Sequence, residues 1–191
     1  MNPPPHNCRL IRDVVPDHAT LLIRLRDEVA WTQHMRSRRT ASMGVPYNYA
    51  GASYPVSPWH PEVAALAKRL SATLGFTATN CLLNYYPSGE HTLGWHSDDV
   101  TILAEGTGIG IVSLGVTRTL KLRSQDAAGY HYEALALEGG SLVLMNQEMQ
   151  ADWRHAIRRA DTAEPRISLS FRHIVRWPER PPEVPPRRAA S

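Results

Sequence analysis

Two segments near the start of the chain carry apolar residues at helical spacing. Leu21, Leu22, Leu25 and Val29 follow Asp17, a residue able to cap a helix, and Val63, Leu66, Ala67, Leu70 and Leu74 follow Pro61, which suits a first helical position. Gly75 is placed to end the second helix. From Thr77 onward the texture changes to short apolar or alternating runs bounded by turn residues. These predict strands over 80–86, 92–96, 109–114, 119–123, 131–137, 141–145, 153–157 and 167–175. Pro87-Ser88-Gly89, 126–129, Gly139-Gly140 and Pro165 punctuate them. Helices first and a run of strands afterwards predict an α+β fold: a double-stranded β-helix (jelly-roll) core with N-terminal buttressing helices.

Both ends read as loose. Residues 1–16 open Pro-rich and are expected to form a flexible N-terminus, and 177–191 form a Pro/Arg-rich tail with Arg180, Arg187 and Arg188. No internal repeat or linker divides 17–176, so a single domain is expected; a monomer is the working expectation, which the sequence leaves open. Cys8 and Cys81 lack metal-type spacing, and no signal peptide precedes them, which predicts reduced thiols and a cytoplasmic location. No apolar run is long enough to span a membrane. The net charge is +3, and Lys68 and Lys121 are the only lysines among the basic residues. Arginine forks recognise carboxylates and phosphates bidentately, so the charge permits nucleic-acid binding; a GC-rich genome would give the same bias.

The sharpest chemical pattern is His96-Ser97-Asp98. Its two-residue offset puts both side chains on one face of an extended segment. With His155 from a later strand, two imidazoles and one carboxylate can hold iron(II) on one side and leave the other side open. The spacing alone is weak, because His60-Pro61-Glu62 and His131-Tyr132-Glu133 repeat it with glutamate, and a lone His155 also fits a structural role. Arg166, Ser168, Ser170 and Arg172 alternate with Ile167, Leu169 and Phe171, so a half-buried strand would turn two guanidinium groups into one cavity. Buried cations demand anions, and a dicarboxylic acid would satisfy both. Asn84 and Tyr86 read equally well as turn-flanking residues, and Trp95, Trp153 and Phe171 as core aromatics.

Six ordered blocks resemble the AlkB family of iron(II) and 2-oxoglutarate-dependent dioxygenases. They are Thr40-Ala41-Ser42-Met43-Gly44 with Tyr47 and Tyr49, Asn84-Tyr85-Tyr86-Pro87, Trp95-His96-Ser97-Asp98-Asp99, Ser113-Leu114-Gly115 with Arg118-Thr119, Gln150–His155, and Arg166–Arg172. The resemblance implies that His96, Asp98 and His155 bind iron and act in catalysis. It further implies that Asn84, Tyr86, Arg166 and Arg172 hold 2-oxoglutarate, with Ser168 where the bacterial prototype has Asn, and that dioxygen is the oxidant. Residues 17–78 would then hold helices and a substrate lid, with Tyr47 and Tyr49 as candidate substrate contacts beside Trp59, although ordinary packing accounts for these aromatics equally well, and 79–176 the jelly-roll core.

The implied activity is oxidative demethylation of N-alkylated nucleobases, such as N1-methyladenine and N3-methylcytosine in DNA or RNA, releasing formaldehyde, succinate and carbon dioxide. The base must be flipped or single-stranded. One departure is Val100, where repair members of the family place an acidic residue facing the damaged base; Asp99 is the candidate substitute. Hydroxylation of a nucleoside or another small metabolite is the second reading, and a non-catalytic reader of methylated nucleic acid the third. A zinc hydrolase would leave Arg166 and Arg172 without a purpose.

Overall fold

The computed structural model describes residues 7–35, 37–49, 52–127 and 129–176. Helix α1 (His18–Glu28) buries Leu21, Leu22 and Leu25; Asp17 stands at its N-cap without a side-chain capping bond, and Val29 is already extended. Helix α2 (Pro61–Leu74) buries all five of its expected apolar residues. Its N-cap is His60, whose ring accepts from the Glu62 N–H, and Gly75 ends it in the left-handed conformation at φ 77°. One of the two glutamate look-alikes of the metal motif is therefore a helix start.

Thirteen strands fill most of the rest: β1 (Cys8–Ile11), β2 (Thr32–Met35), β3 (Arg38–Gly44), β4 (Tyr47–Tyr49), β5 (Ala52–Tyr54), β6 (Asn80–Tyr86), β7 (Leu93–His96), β8 (Gly108–Gly115), β9 (Arg118–Asp126), β10 (Gly129–Leu137), β11 (Leu142–Asn146), β12 (Trp153–Ile157) and β13 (Arg166–Arg172). A six-residue helix, α3 (Gln147–Asp152), links β11 to β12. The strands form a seven-stranded sheet in the order β1-β11-β8-β13-β6-β3-β2, a four-stranded sheet β10-β9-β12-β7, and a hairpin β4-β5.

The alternation of β13 decides where the core lies. Ile167, Leu169 and Phe171 join Cys81, Leu83 and Tyr85 of β6 in a cluster with the apolar stripes of α1 and α2, so both helices cover the outer face of the larger sheet. Each such side chain, fully removed from water, stabilises the fold by about 1.5–3 kcal/mol. A second cluster, including Leu120, Leu122, Leu135 and Leu137 with Val143 and Met145, fills the space between the sheets. The other face of β13 carries polar side chains and looks into the jelly roll, where that filling gives way to a cavity.

Three expectations need correction. Residues 7–16 are not a loose terminus: β1 pairs antiparallel with β11, and Cys8 and Val15 are buried. The Pro-rich composition stops before Cys8, and a four-residue strand is too short to betray itself by alternation. The segment 17–78 contains four strands besides its helices, and β3 lies beside β6 inside the larger sheet. Its Arg38, Thr40 and Ser42 are buried polar residues that hid the strand from a hydrophobic pattern. Strand β13 ends at Arg172, although Ile174 bridges Leu103 beyond it. Residues 1–6 and the tail with Arg180, Arg187 and Arg188 lie outside the described residues.

Candidate active site

Strand β7 is the edge of the smaller sheet and β12 is its neighbour. Their register sets His96 directly opposite His155, with ring centroids 4.1 Å apart. Asp98 follows just past the end of β7 and is held from three directions. Its Oδ2 lies 3.6 Å from His155 Nε2, its Oδ1 accepts from Arg172 Nη2 at 2.9 Å, and its backbone N–H donates to Gln150 Oε1 at 2.9 Å. One ligand atom from each of His96, Asp98 and His155 falls within 4.8 Å of the others, the only such group among the described residues. The remaining look-alike is elsewhere: His131 is exposed and pairs with Asp126 at 2.8 Å.

Protonation states favour a metal. His96 Nδ1 donates to the Gly94 carbonyl at 2.9 Å, which leaves Nε2 as the ring nitrogen available to a metal. Burial pushes the His155 imidazole down to about 4 against the opposing pull of Asp98, so this ring is a neutral donor at neutral pH. Burial also resists ionisation of Asp98, but the Arg172 charge, helped by His155 and His96, outweighs it and holds the carboxyl below its ordinary range. Two imidazoles and one carboxylate, met by an open cavity, fit iron(II).

The next part of the cavity is built by the pairing of β13 with β6. Arg166 lies opposite Tyr86, Ser168 opposite Asn84 and Ser170 opposite Leu82, and with Arg172 these side chains line the same space as the three metal donors. Arg166 is 1% exposed. Its Nη2 donates to Ser113 Oγ at 2.9 Å, whereas its Nε and Nη1 have no hydrogen-bond partner. Burial lowers its pKa, and the neighbouring Tyr86, whose ring centroid is 5.3 Å from the guanidinium carbon, resists that shift. A buried cation with two unused N–H donors is a receptor for a carboxylate.

Two supporting residues escaped the sequence reading. Arg38 is buried and donates from Nε to Asn84 Oδ1 at 2.6 Å, which fixes the Asn84 amide so that its NH2 remains the donor end. Gln150 is buried and anchors the backbone of Asp98. Gln150 lies within one of the blocks that carry the family resemblance and Arg38 just precedes the first of them; neither residue type at its position announces a partner far along the chain.

The expected substrate contacts fare differently. Tyr47 is 3% exposed, and the Arg172 guanidinium carbon sits 4.9 Å from its ring centroid, so it packs behind the metal site and offers no open stacking face. The side chain of Tyr49 lies outside the described residues. Asp99 is exposed and folds back on its own turn, accepting from Thr101 N at 2.9 Å and Thr101 Oγ1 at 2.6 Å; it does not line the cavity. The strand ends at His96, so alternation no longer governs these positions. Val100 packs beside a small apolar cluster with Tyr47, Tyr54 and Leu103.

Comparison with known proteins agrees with this geometry. The profile of the 2OG-Fe(II) oxygenase superfamily matches residues 15–172. The human alpha-ketoglutarate-dependent dioxygenase alkB homolog 3 is 30% identical over 181 residues, covering 85% of this chain and 63% of the relative. The bovine DNA oxidative demethylase ALKBH2 is 32% identical over 153 residues, covering 76% of this chain and 55% of the relative. The chain thus spans 55–63% of the length of these curated relatives. The solved structure of OsALKBH1 superposes with a TM-score of 0.63 at 16% identity, covering 87% of this chain and 98% of that one, a likeness of fold. With the superfamily profile matched over residues 15–172 and alkB homologs at 30–32% identity, this chain belongs to the 2OG-Fe(II) oxygenase superfamily and, within it, to the AlkB family.

Proposed function

We propose that this protein oxidatively demethylates N-alkylated nucleobases, such as N1-methyladenine and N3-methylcytosine, in DNA or RNA, consuming 2-oxoglutarate and dioxygen and releasing formaldehyde, succinate and carbon dioxide. The observation that carries the reading is the meeting of His96, Asp98 and His155 with the unpaired N–H groups of Arg166 in one cavity. The kinship with a DNA oxidative demethylase supports the substrate class.

Bound iron(II), with 2-oxoglutarate and dioxygen, supplies the oxidising power for hydroxylation of an N-methyl C–H bond. The chain supplies the rest. His96 and His155 would present ring nitrogen donors from adjacent strands, and Asp98 an anionic oxygen. Arg172 keeps that carboxylate ionised and oriented from the side away from His155. Arg166 and Tyr86 would hold a carboxylate of the keto acid, Asn84 and Ser168 would offer it further polar contacts, and Leu93, Leu120, Leu137 and Ile157 line the cavity with apolar surface that excludes water. The hydroxylated methyl group is a hemiaminal that breaks down to formaldehyde and the unmodified base.

The test is formaldehyde release from oligonucleotides bearing one methylated base. The reading expects release from at least one methylated DNA or RNA strand that depends on 2-oxoglutarate; succinate formation with free nucleosides alone transfers it to small-molecule hydroxylation. Val100, an apolar side chain where repair relatives carry an acid, is the observation favouring that second reading. The free thiols Cys8 and Cys81 fit a reducing compartment, and we place the protein in the cytoplasm as a monomer. No described helix is long and apolar enough to cross a membrane.

A further inference from the structure

The outer face of the four-stranded sheet carries a pattern that the cavity does not need. Leu120 and Leu122 of β9 point into the core, so Lys121, Arg123 and Gln125 point away from it. Register extends that face sideways. Arg123 lies opposite Tyr132 of β10 on one side and Arg154 of β12 on the other, Gln125 lies opposite Tyr130, and Lys121 lies between Ala134 and Ala156. Trp95 of the edge strand joins them, because the Arg123 guanidinium carbon is 4.6 Å from the Trp95 ring centroid and 5.2 Å from that of Tyr130.

Three features of this face are costly without a partner. Arg123 and Arg154 sit directly opposite one another, a like-charged cross-strand pair that destabilises a sheet. Neither makes an ion pair or hydrogen bond with a carboxylate among the described residues; in the paired rows Glu133 lies opposite the core-facing Leu122 and Asp126 opposite Gly129 at the end of the hairpin, and Asp152 is the one acidic residue lining the adjoining pocket. Tyr130 and Tyr132 are 52% and 62% exposed, with ring centroids 6.1 Å apart. Cations interleaved with open aromatic faces are the surface that single-stranded nucleic acid wants, with guanidinium groups for phosphates and rings for unstacked bases.

The face also adjoins the active site. A polar surface pocket runs from Arg123, Tyr130 and Arg154 to Ser97, the residue between the candidate ligands His96 and Asp98. Only the edge strand β7 separates the two, with Trp95 on the outer side and His96 on the inner.

We infer that this outer face docks a single-stranded polynucleotide beside the cavity, its phosphates on Arg123 and Arg154 and its bases on Tyr130 and Tyr132. The inference rests on the nucleic-acid reading above and names the route by which such a substrate is held.

The test uses the full chain and fluorescent, unmethylated strands of about 12 nucleotides, DNA and RNA in separate arms, with binding followed by anisotropy over a salt series. The double variant Arg123→Gln/Arg154→Glu is expected to bind at least roughly tenfold more weakly and to lower the log-log salt slope by about 1.4, the share of two phosphate contacts on a single strand. Tyr132→Ala is expected to weaken binding by about tenfold with the slope kept, as loss of one stacked base does. Tyr132 is largely exposed, so its truncation is expected to leave the fold intact, and thermal melting of both variants against wild type checks this before binding is read. Wild-type affinity and slope in either folded variant overturn the inference. Formaldehyde release from a methylated strand is read separately. Release by the wild type while every variant docks normally sinks the docking face alone; docking through these residues with no release sinks the demethylase reading alone.

Discussion

Arg172 Nη2 donates to Asp98 Oδ1 at 2.9 Å across 74 positions of sequence, with both side chains 3% exposed. The pair couples the last strand of the larger sheet to the edge of the smaller one and leaves the second carboxylate oxygen toward His155. Burial alone would depress the Arg172 pKa, but Tyr47 and Asp98 raise it, so the cation is permanent.

Removing that cation strands a buried carboxylate. Arg172→Leu is expected to cost about 3–5 kcal/mol of stability in the metal-free protein, read as a lowered denaturant midpoint. Iron(II) should recover part of the loss, because a metal at Asp98 replaces the missing positive charge. A midpoint equal to wild type would show that the pair does not hold the site together.

Arg166 presents a different dependence. It has unused N–H donors, so under the proposed function it would receive an anion and its loss is expected to be felt when 2-oxoglutarate binds. Arg166→Met removes a charge-assisted hydrogen bond worth about 1.5–3 kcal/mol, equivalent to a rise in the apparent KM for 2-oxoglutarate of roughly 10- to 150-fold. Arg166→Lys keeps the charge and loses the fork, and should recover only part of the affinity. Unaltered 2-oxoglutarate dependence in Arg166→Met removes this residue from the cosubstrate site.

The metal-free protein should be sensitive to mild acid. His155 titrates at about 4 in the fold against an ordinary value of 6.5, so the unfolded chain takes up its proton first as pH falls. The stability linked to this ring is complete above pH 6.5 and drains away between pH 6.5 and about 4. Asp98, also depressed from its ordinary 3.8, adds its own loss only below that value. Denaturant midpoints between pH 7 and 4.5 should decline in the metal-free wild type and decline less in His155→Gln. Equal slopes would assign the acid sensitivity to other groups.

Both thiols should be silent toward alkylating reagents in the folded state. Burial pushes Cys8 up to about 12 and Cys81 higher still, although the Arg172 charge pulls Cys81 the other way. Neither supplies thiolate near neutral pH. Mass spectrometry should find both unmodified by iodoacetamide until denaturant is added; rapid labelling of either in the native protein contradicts its burial in the sheet.

The core and the candidate metal donors were legible in the sequence because each depends on strict local geometry. The stripe of α2, the period-2 alternation of Arg166–Arg172 and the two-residue step from His96 to Asp98 are backbone geometry written in residue type. What stayed hidden depends on partners far along the chain. Strand β3 is held by pairing with β6 while burying Arg38, Thr40 and Ser42, so its polarity pointed away from a central strand. Gln150 matters for the backbone N–H it meets at Asp98, which no local pattern announces. Tyr47 looked like a lid aromatic and instead lies against Arg172, since the hairpin β4-β5 folds it inward.

The most direct measurement is succinate formed from 2-oxoglutarate by purified protein with iron(II) and ascorbate, run beside Asp98→Ala and His155→Ala. Wild-type protein is expected to turn over and both variants to fall to background, with iron(II) affinity lost in parallel. Turnover that survives in either variant, or an iron-loaded wild type that never consumes the keto acid, contradicts the assignment of this cavity.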